Sequence, residues 1–99
     1  MSEYEKYGSN YIGSNATVCH SSNPLLNGIA GKIVDESKNM FTFSTGTREV
    51  MVPKAGSEFK IILKGNEIKI NGNDIQFTVQ DRMKNTGKIV KSKMKERKR

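Results

Sequence analysis

The chain is poor in the residues that carry out chemistry. Its 99 residues include one histidine, one cysteine and no tryptophan. Cys19 has no second cysteine, which excludes an internal disulfide and a zinc knuckle, and a reducing, cytoplasmic compartment fits. His20 follows Cys19 directly. Adjacent strand residues point to opposite faces, so these two do not form a nucleophile–base pair. No glycine-rich loop leads into a helix, so there is no nucleotide cradle. No apolar run approaches the ~20 residues of a membrane span. Met1-Ser2-Glu3-Tyr4-Glu5 lacks the basic start and apolar stretch of a signal peptide. Asp35 and Glu36 are adjacent carboxylates in a polar segment. Such a pair could hold one hydrated Mg²⁺ beside phosphates, although turns favour acidic residues for their own reasons. No acid–base pair for an intrinsic nuclease emerges.

What the chain does have is charge at one end. Residues 1–79 hold eight Lys/Arg and eight Asp/Glu and are neutral, whereas residues 80–99 hold nine Lys/Arg against Asp81 and Glu96. The whole net charge of +7 therefore sits in the last fifth of the sequence. A neutral body with a basic tail is suited to a polyanion, and nucleic acid is the commonest one in a cell. Arg48, Arg82, Lys84, Lys88 and Lys91 are the expected phosphate contacts on this reading.

The pattern along the chain divides it into a polar N-terminal arm (1–14), a β-rich body (15–82) and a basic tail (83–99). The arm carries Tyr4, Tyr7 and Tyr11 among Gly, Ser and Asn, so it is either disordered or ordered on a partner, with three tyrosines available for base stacking. In the body the hydrophobic period is two, and turn signals recur every 8–12 residues, the spacing of a small all-β barrel or sandwich. Strands are expected at 16–20, 29–34, 40–44, 48–52, 58–63 and 67–70, with Gly65-Asn66 as a hairpin turn. Ile75, Phe77 and Val79 would finish the barrel. Six or seven short strands suggest a strongly bent sheet that closes on itself and so hides its edges. The tail is rich in helix formers, with Ile89, Val90 and Met94 as a narrow apolar stripe. Like-charge repulsion should leave its last residues loose until phosphates arrive.

One block is distinctive. Residues 22–40 read Ser-Asn-Pro-Leu-Leu-Asn-Gly-Ile-Ala-Gly-Lys-Ile-Val-Asp-Glu-Ser-Lys-Asn-Met, and Val52-Pro53-Lys54 follows at a fixed distance. This resembles archaeal ribonuclease P protein component 1, the counterpart of a subunit of eukaryotic ribonuclease P and MRP. That family shows a Ser-x-Pro-x-Leu-x-Gly-x-x-Gly-x-Val-x-Asp-Glu-Thr-Lys-Asn run followed by Val-Pro-Lys. Tyr11-Ile12-Gly13 echoes the family's Leu-Ile-Gly before the first strand, and Ser37 replaces its threonine. The likeness covers about residues 11–82.

The resemblance implies an all-β fold: a small Sm-like, strongly bent antiparallel barrel of six to seven strands with terminal helical extensions. It implies a non-catalytic RNA-binding subunit of the ribonucleoprotein that removes 5′ leaders from precursor tRNA. There the RNA and its bound Mg²⁺ perform the cleavage, and this chain itself binds no cofactor. Partners would be ribonuclease P RNA, precursor tRNA and the other protein subunits, including a zinc-ribbon protein, with no membrane and a monomer when alone. Lys32, Lys38, Asn39 and Lys54 sit in the matching blocks and are the implied RNA contacts. The polar arm departs from the apolar, helix-forming segment usual in the family. A small ribosomal RNA-binding protein and a stand-alone Sm-like ring scaffold are the alternatives.

Overall fold

A computed structural model of the chain describes residues 1–97; residues 98–99, the end of the expected basic tail, lie outside it. Six strands form one antiparallel sheet: β1 (Asn15–Ser21), β2 (Ala30–Glu36), β3 (Met40–Ser44), β4 (Glu49–Pro53), β5 (Ser57–Leu63) and β6 (Asn66–Asn71). Their spatial order is β4-β3-β2-β1-β5-β6. All six lie within a residue or two of their expected positions. The alternation that marked them buries Phe41 and Phe43 on β3, Phe59, Ile61 and Leu63 on β5, and Ile68 and Ile70 on β6. Phe41 meets Phe43 and Phe59 edge-on at centroid distances of 6.5 and 5.0 Å, a favoured aromatic geometry. The β5–β6 turn is Lys64-Gly65, one residue earlier than expected, because Leu63 pairs with Asn66.

Bulges bend the sheet. The register shifts between Val18 and His20 on β1 and between Ile33 and Asp35 on β2, and each extra residue sharpens the local twist. The bend brings β4 and β6 round toward each other. Among the described residues these two edges share no strand ladder. The end of β6 meets the end of β4 in another way: a Cβ on Gly72 would collide with the carbonyl of Lys54. Only glycine allows this approach.

The expected last strand at Ile75–Val79 is not one. Residues 72–75 form a 3₁₀ turn, and helix α2 (Val79–Lys84) begins where a strand should have ended. Local side chains explain the change. Asn71 Oδ1 accepts the Asn73 amide, and Thr78 Oγ1 accepts the Asp81 amide as an N-cap. Ile75 is nevertheless fully buried, and Phe77 packs on the core.

Helices lie toward both ends of the described residues. Ser2 caps helix α1 (Glu3–Gly8): its Oγ accepts the Glu5 amide at 3.1 Å and donates to the Glu5 carboxylate at 3.5 Å. The arm is therefore ordered within the chain, and Tyr7 and Tyr11 are core residues (2% and 0% exposed), leaving only Tyr4 exposed. This corrects the expectation of three spare tyrosines. Helix α3 (Thr86–Arg97) buries Ile89 and Val90 and packs on α1. The tail is thus helical through Arg97 rather than loose from the early nineties.

The Gly72 contact gives a stability test. Gly72→Ala should cost about 1–3 kcal/mol by overpacking the seam, lowering Tm by several degrees per kcal/mol. Gly87→Ala, where a Cβ meets nothing within 4 Å, should stabilise α3 by about 0.5–1 kcal/mol. Thermal unfolding of both variants checks the opposite signs.

Candidate nucleic-acid interface and the ion network behind it

The most conspicuous charged cluster in the fold lies inside it. Glu36, at the end of β2, meets Lys54, just past β4, and Arg82, on α2; all three side chains have no exposed surface. Glu36 Oε2 accepts from Lys54 Nζ at 2.8 Å and from Arg82 Nε at 3.2 Å, and Oε1 accepts from Arg82 Nη2 at 3.0 Å. The arginine fork is bidentate, the strongest geometry open to the pair.

Two cations on one carboxylate leave a surplus positive charge, and the surroundings absorb it. Lys54 Nζ also donates to the carbonyls of Ile75 (2.9 Å) and Phe77 (2.8 Å). Arg82 Nη1 donates to those of Tyr7 (2.6 Å) and Ser9 (2.7 Å). The Arg82 guanidinium stacks 3.8 Å from the Tyr11 ring centre, and Lys54 Nζ lies 5.0 Å from that of Phe41. Tyr11 in turn donates its hydroxyl to the Lys6 carbonyl at 2.7 Å. Burial pushes the Lys54 ammonium below its ordinary pKa, against the pull of Glu36. Burial pushes the Tyr11 phenol well above its own, with Arg82 opposing.

This placement differs from the surface positions expected of two cations. Lys54 and Arg82, expected at the surface, are buried instead: neither reaches solvent and both are committed to Glu36. Asp35 and Glu36 face opposite ways: Glu36 points inward while Asp35 is exposed. Among the described residues no group of three His, Cys, Asp or Glu side chains is arranged to hold a metal.

The remaining expected contacts are all exposed: Lys32, Lys38, Asn39, Arg48, Lys84, Lys88 and Lys91. They fall into three groups. Lys32 lies opposite Ser44 on β3, and Arg48 ends the following turn, whose Thr45 amide donates to the Arg48 carbonyl at 3.0 Å. Lys38 and Asn39 occupy the β2–β3 turn, at the other end of that hairpin. The rise of roughly 3.3 Å per strand residue separates these two groups by most of the hairpin's length. The Asn39 carbonyl accepts the Lys54 amide at 2.8 Å, so this turn sits at the ion-network end. Lys84, Lys88 and Lys91 form the third group, on α2 and α3, and Arg82 ties α2 to the same end.

Sequence reasoning passed over Lys6 and Lys93. With Lys69 they line a concavity of about 230 Å³ between α1, β6 and α3, which also contains Glu58 and Asp74. Lys93 is paired with Asp74 at 2.9 Å. Only the three-dimensional crossing of α1 and α3 over β6 brings these residues together.

The distinctive sequence block has a structural explanation of its own. Asn27 Oδ1 accepts the Ser21 amide and Asn23 Oδ1 the Leu25 amide, at 2.7 and 3.1 Å, which fixes the loop before β2. Gly31 lies so close to β3 that a Cβ would strike the Ser44 carbonyl.

A stability series separates interior from surface roles. Glu36→Ala should cost about 3–5 kcal/mol, because two buried cations lose their counter-charge. Lys54→Met keeps the apolar stem and the Glu36–Arg82 pair, and strands two carbonyls at about 1–3 kcal/mol. Urea unfolding measures both. RNA affinity of the folded Lys54→Met protein should match wild type; a loss like that from removing an exposed lysine would return Lys54 to the surface role.

Comparison with known proteins agrees with this architecture. Residues 7–85 match the family described as Ribonuclease P/MRP, subunit p29. The chain is 37% identical over 91 residues to Ribonuclease P protein component 1 of Methanosarcina barkeri, covering 81% of this chain and 83% of that protein. It is 36% identical over 85 residues to the protein of the same name from Thermoplasma volcanium, covering 86% and 92%. A solved structure, Mth11, described as a homologue of human RNase P protein Rpp29, superposes with a TM-score of 0.58 at 26% identity, covering 75% of this chain and 97% of that one. An open, bent six-stranded sheet whose seam is bridged by side chains is the form this architecture takes here, and the chain belongs to the ribonuclease P/MRP subunit p29 family.

Proposed function

We propose that the chain is a non-catalytic, RNA-binding protein subunit of ribonuclease P that acts in removing 5′ leaders from precursor tRNA. The observation that carries this reading is the family match together with the fate of the charges. Seven of the nine expected contacts face solvent, on a protein with a formal net charge of +7. The catalytic work belongs to the RNA and the Mg²⁺ it holds. The protein stabilises the RNA fold and screens phosphate repulsion, and it works beside the other protein subunits, including a zinc-ribbon one.

Lys84, Lys88 and Lys91 supply phosphate contacts from the helical end, while Lys32, Arg48, Lys38 and Asn39 extend contact over the barrel. Lysine and arginine on phosphate position a protein without reading sequence. Structured RNA is recognised largely by shape and 2′-hydroxyls, and a rigid small barrel suits that task.

Two measurements test this. Adding the chain to the cognate ribonuclease P RNA and its other protein subunits at limiting Mg²⁺ should raise precursor-tRNA cleavage or lower the Mg²⁺ requirement. No change, with tight RNA binding retained, would favour a ribosomal protein instead. Replacing Lys84, Lys88 and Lys91 together by alanine should flatten the log–log salt dependence of RNA binding by roughly 2–3, at ~0.7–0.9 per lost contact. An unchanged slope would remove the helical end from the interface.

A further inference from the structure

A second feature of the helical end is not electrostatic. Between the 3₁₀ turn after β6 and helix α3 lies a groove of about 270 Å³. Its floor is apolar, formed by Phe77 and Ile89, and its rim carries Asn73, Lys88 and Ser92. The Asp74–Lys93 ion pair, 2.9 Å long, belongs to the same lining and ties α3 to the turn. We propose that this groove takes a single unpaired nucleobase of the bound RNA, stacked on Phe77, while the adjoining phosphates lie along the lysines of α3. The inference rests on the RNA-binding role proposed above and names a site within it.

Four observations point to a base rather than to a protein side chain. First, Phe77 is held in place. Its carbonyl accepts Lys54 Nζ at 2.8 Å, and its amide donates to the Ile75 carbonyl at 2.8 Å. A ring on a pinned backbone is a stacking platform that loses little entropy on binding. Second, the rim is rich in donors. Lys88 carries an ammonium and Ser92 a hydroxyl, both on exposed residues. Asn73 Oδ1 is occupied by the Gly56 amide at 3.0 Å, which leaves its Nδ2 free to donate. Base edges present carbonyl and ring-nitrogen acceptors to such donors.

Third, the size is right. The groove falls just below the range of drug-sized pockets, roughly 300–1,000 Å³, and so suits one ring system rather than a helix. Fourth, the charge is complementary. Lys88, Lys91 and Lys95 recur at helical spacing on α3 and are exposed. They form a row beginning at the groove rim, where the backbone of an inserted nucleotide would run. None of the tyrosines in the arm competes except Tyr4, because Tyr7 and Tyr11 are buried.

The test compares two short RNA hairpins, one fully paired and one with a single bulged uridine, binding to the full chain. Wild type should prefer the bulged hairpin by about 5- to 150-fold, the range expected for one stacked base. Phe77→Leu keeps an apolar filler under α3 and should bring the two affinities together without weakening binding to the paired hairpin. Because Phe77 also packs on the core, a measurement on the unaltered protein accompanies it. A bulged 5-iodouridine, irradiated in complex with wild type, should cross-link within residues 73–77 or 88–93. Equal affinity of wild type for both hairpins, or a cross-link elsewhere, overturns the base site while leaving RNA binding intact. Failure to bind either hairpin at low salt overturns the RNA-binding reading itself, and this site with it.

Discussion

The structure depends on a single carboxylate. Among the described residues Glu36 is the one anion bonded to the buried Lys54 and Arg82, and those two residues tie together parts of the chain that no strand ladder joins. Lys54 reaches across the open seam to the carbonyls of Ile75 and Phe77, supplying there what a strand ladder would have supplied. Arg82 reaches the carbonyls of Tyr7 and Ser9 at the end of α1. Those are groups that a helix terminus leaves unsatisfied, and a cation is favoured there. A six-residue helix has no stability of its own in water. The N-terminal helix is therefore held by a residue near the opposite end of the chain, through a charge at the end of β2.

Burying two cations and one anion is an expensive way to join elements, since an apolar cluster of the same volume often serves stability as well or better. The arrangement gives direction instead. Each nitrogen of the network has a named acceptor, and those acceptors lie on β2, the seam, the 3₁₀ turn region and α1. Apolar packing would tolerate sliding of the helices over the barrel end, whereas a bidentate fork does not. For the RNA-binding role proposed above, what such a network would fix is the position of the helix lysines relative to the sheet.

The strands were legible because their signal is local. Period-two alternation in Phe41–Phe43, Phe59–Leu63 and Ile68–Ile70 needs no knowledge of the rest of the chain. The ion network was not legible, for a specific reason. Counting by twos from buried Ile33 puts Asp35 inside and Glu36 outside; the bulge in β2 reverses the parity and turns Glu36 inward. Nothing in Ile-Val-Asp-Glu announces that extra residue. Lys54 enters the expected contacts through the family resemblance and Arg82 through the basic C-terminal charge, and neither signal carries the inward turn of the side chain. The last expected strand failed differently. Ile75 and Phe77 alternate and are apolar, but Asn71 and Thr78 are cap residues on either side of them, and that capping signal outweighed the alternation.

The inward turn of Glu36 also settles how the protein divides its charge. Basic residues that contact RNA must give up water and mobile counter-ions when phosphates arrive. Lys54 and Arg82 have already been desolvated and paired in folding, so they contribute to the sequence charge without taking part in that exchange. On the proposed RNA-binding reading, the cations left to take part are the exposed ones at the two ends of the β2–β3 hairpin and along α2 and α3. Their spacing is set by strand rise and by the helix anchored through Arg82. A basic sequence is thus converted into a shaped field by internalising two of its cations: one fixes the seam, the other fixes the helices, and the exposed lysines inherit their geometry from both.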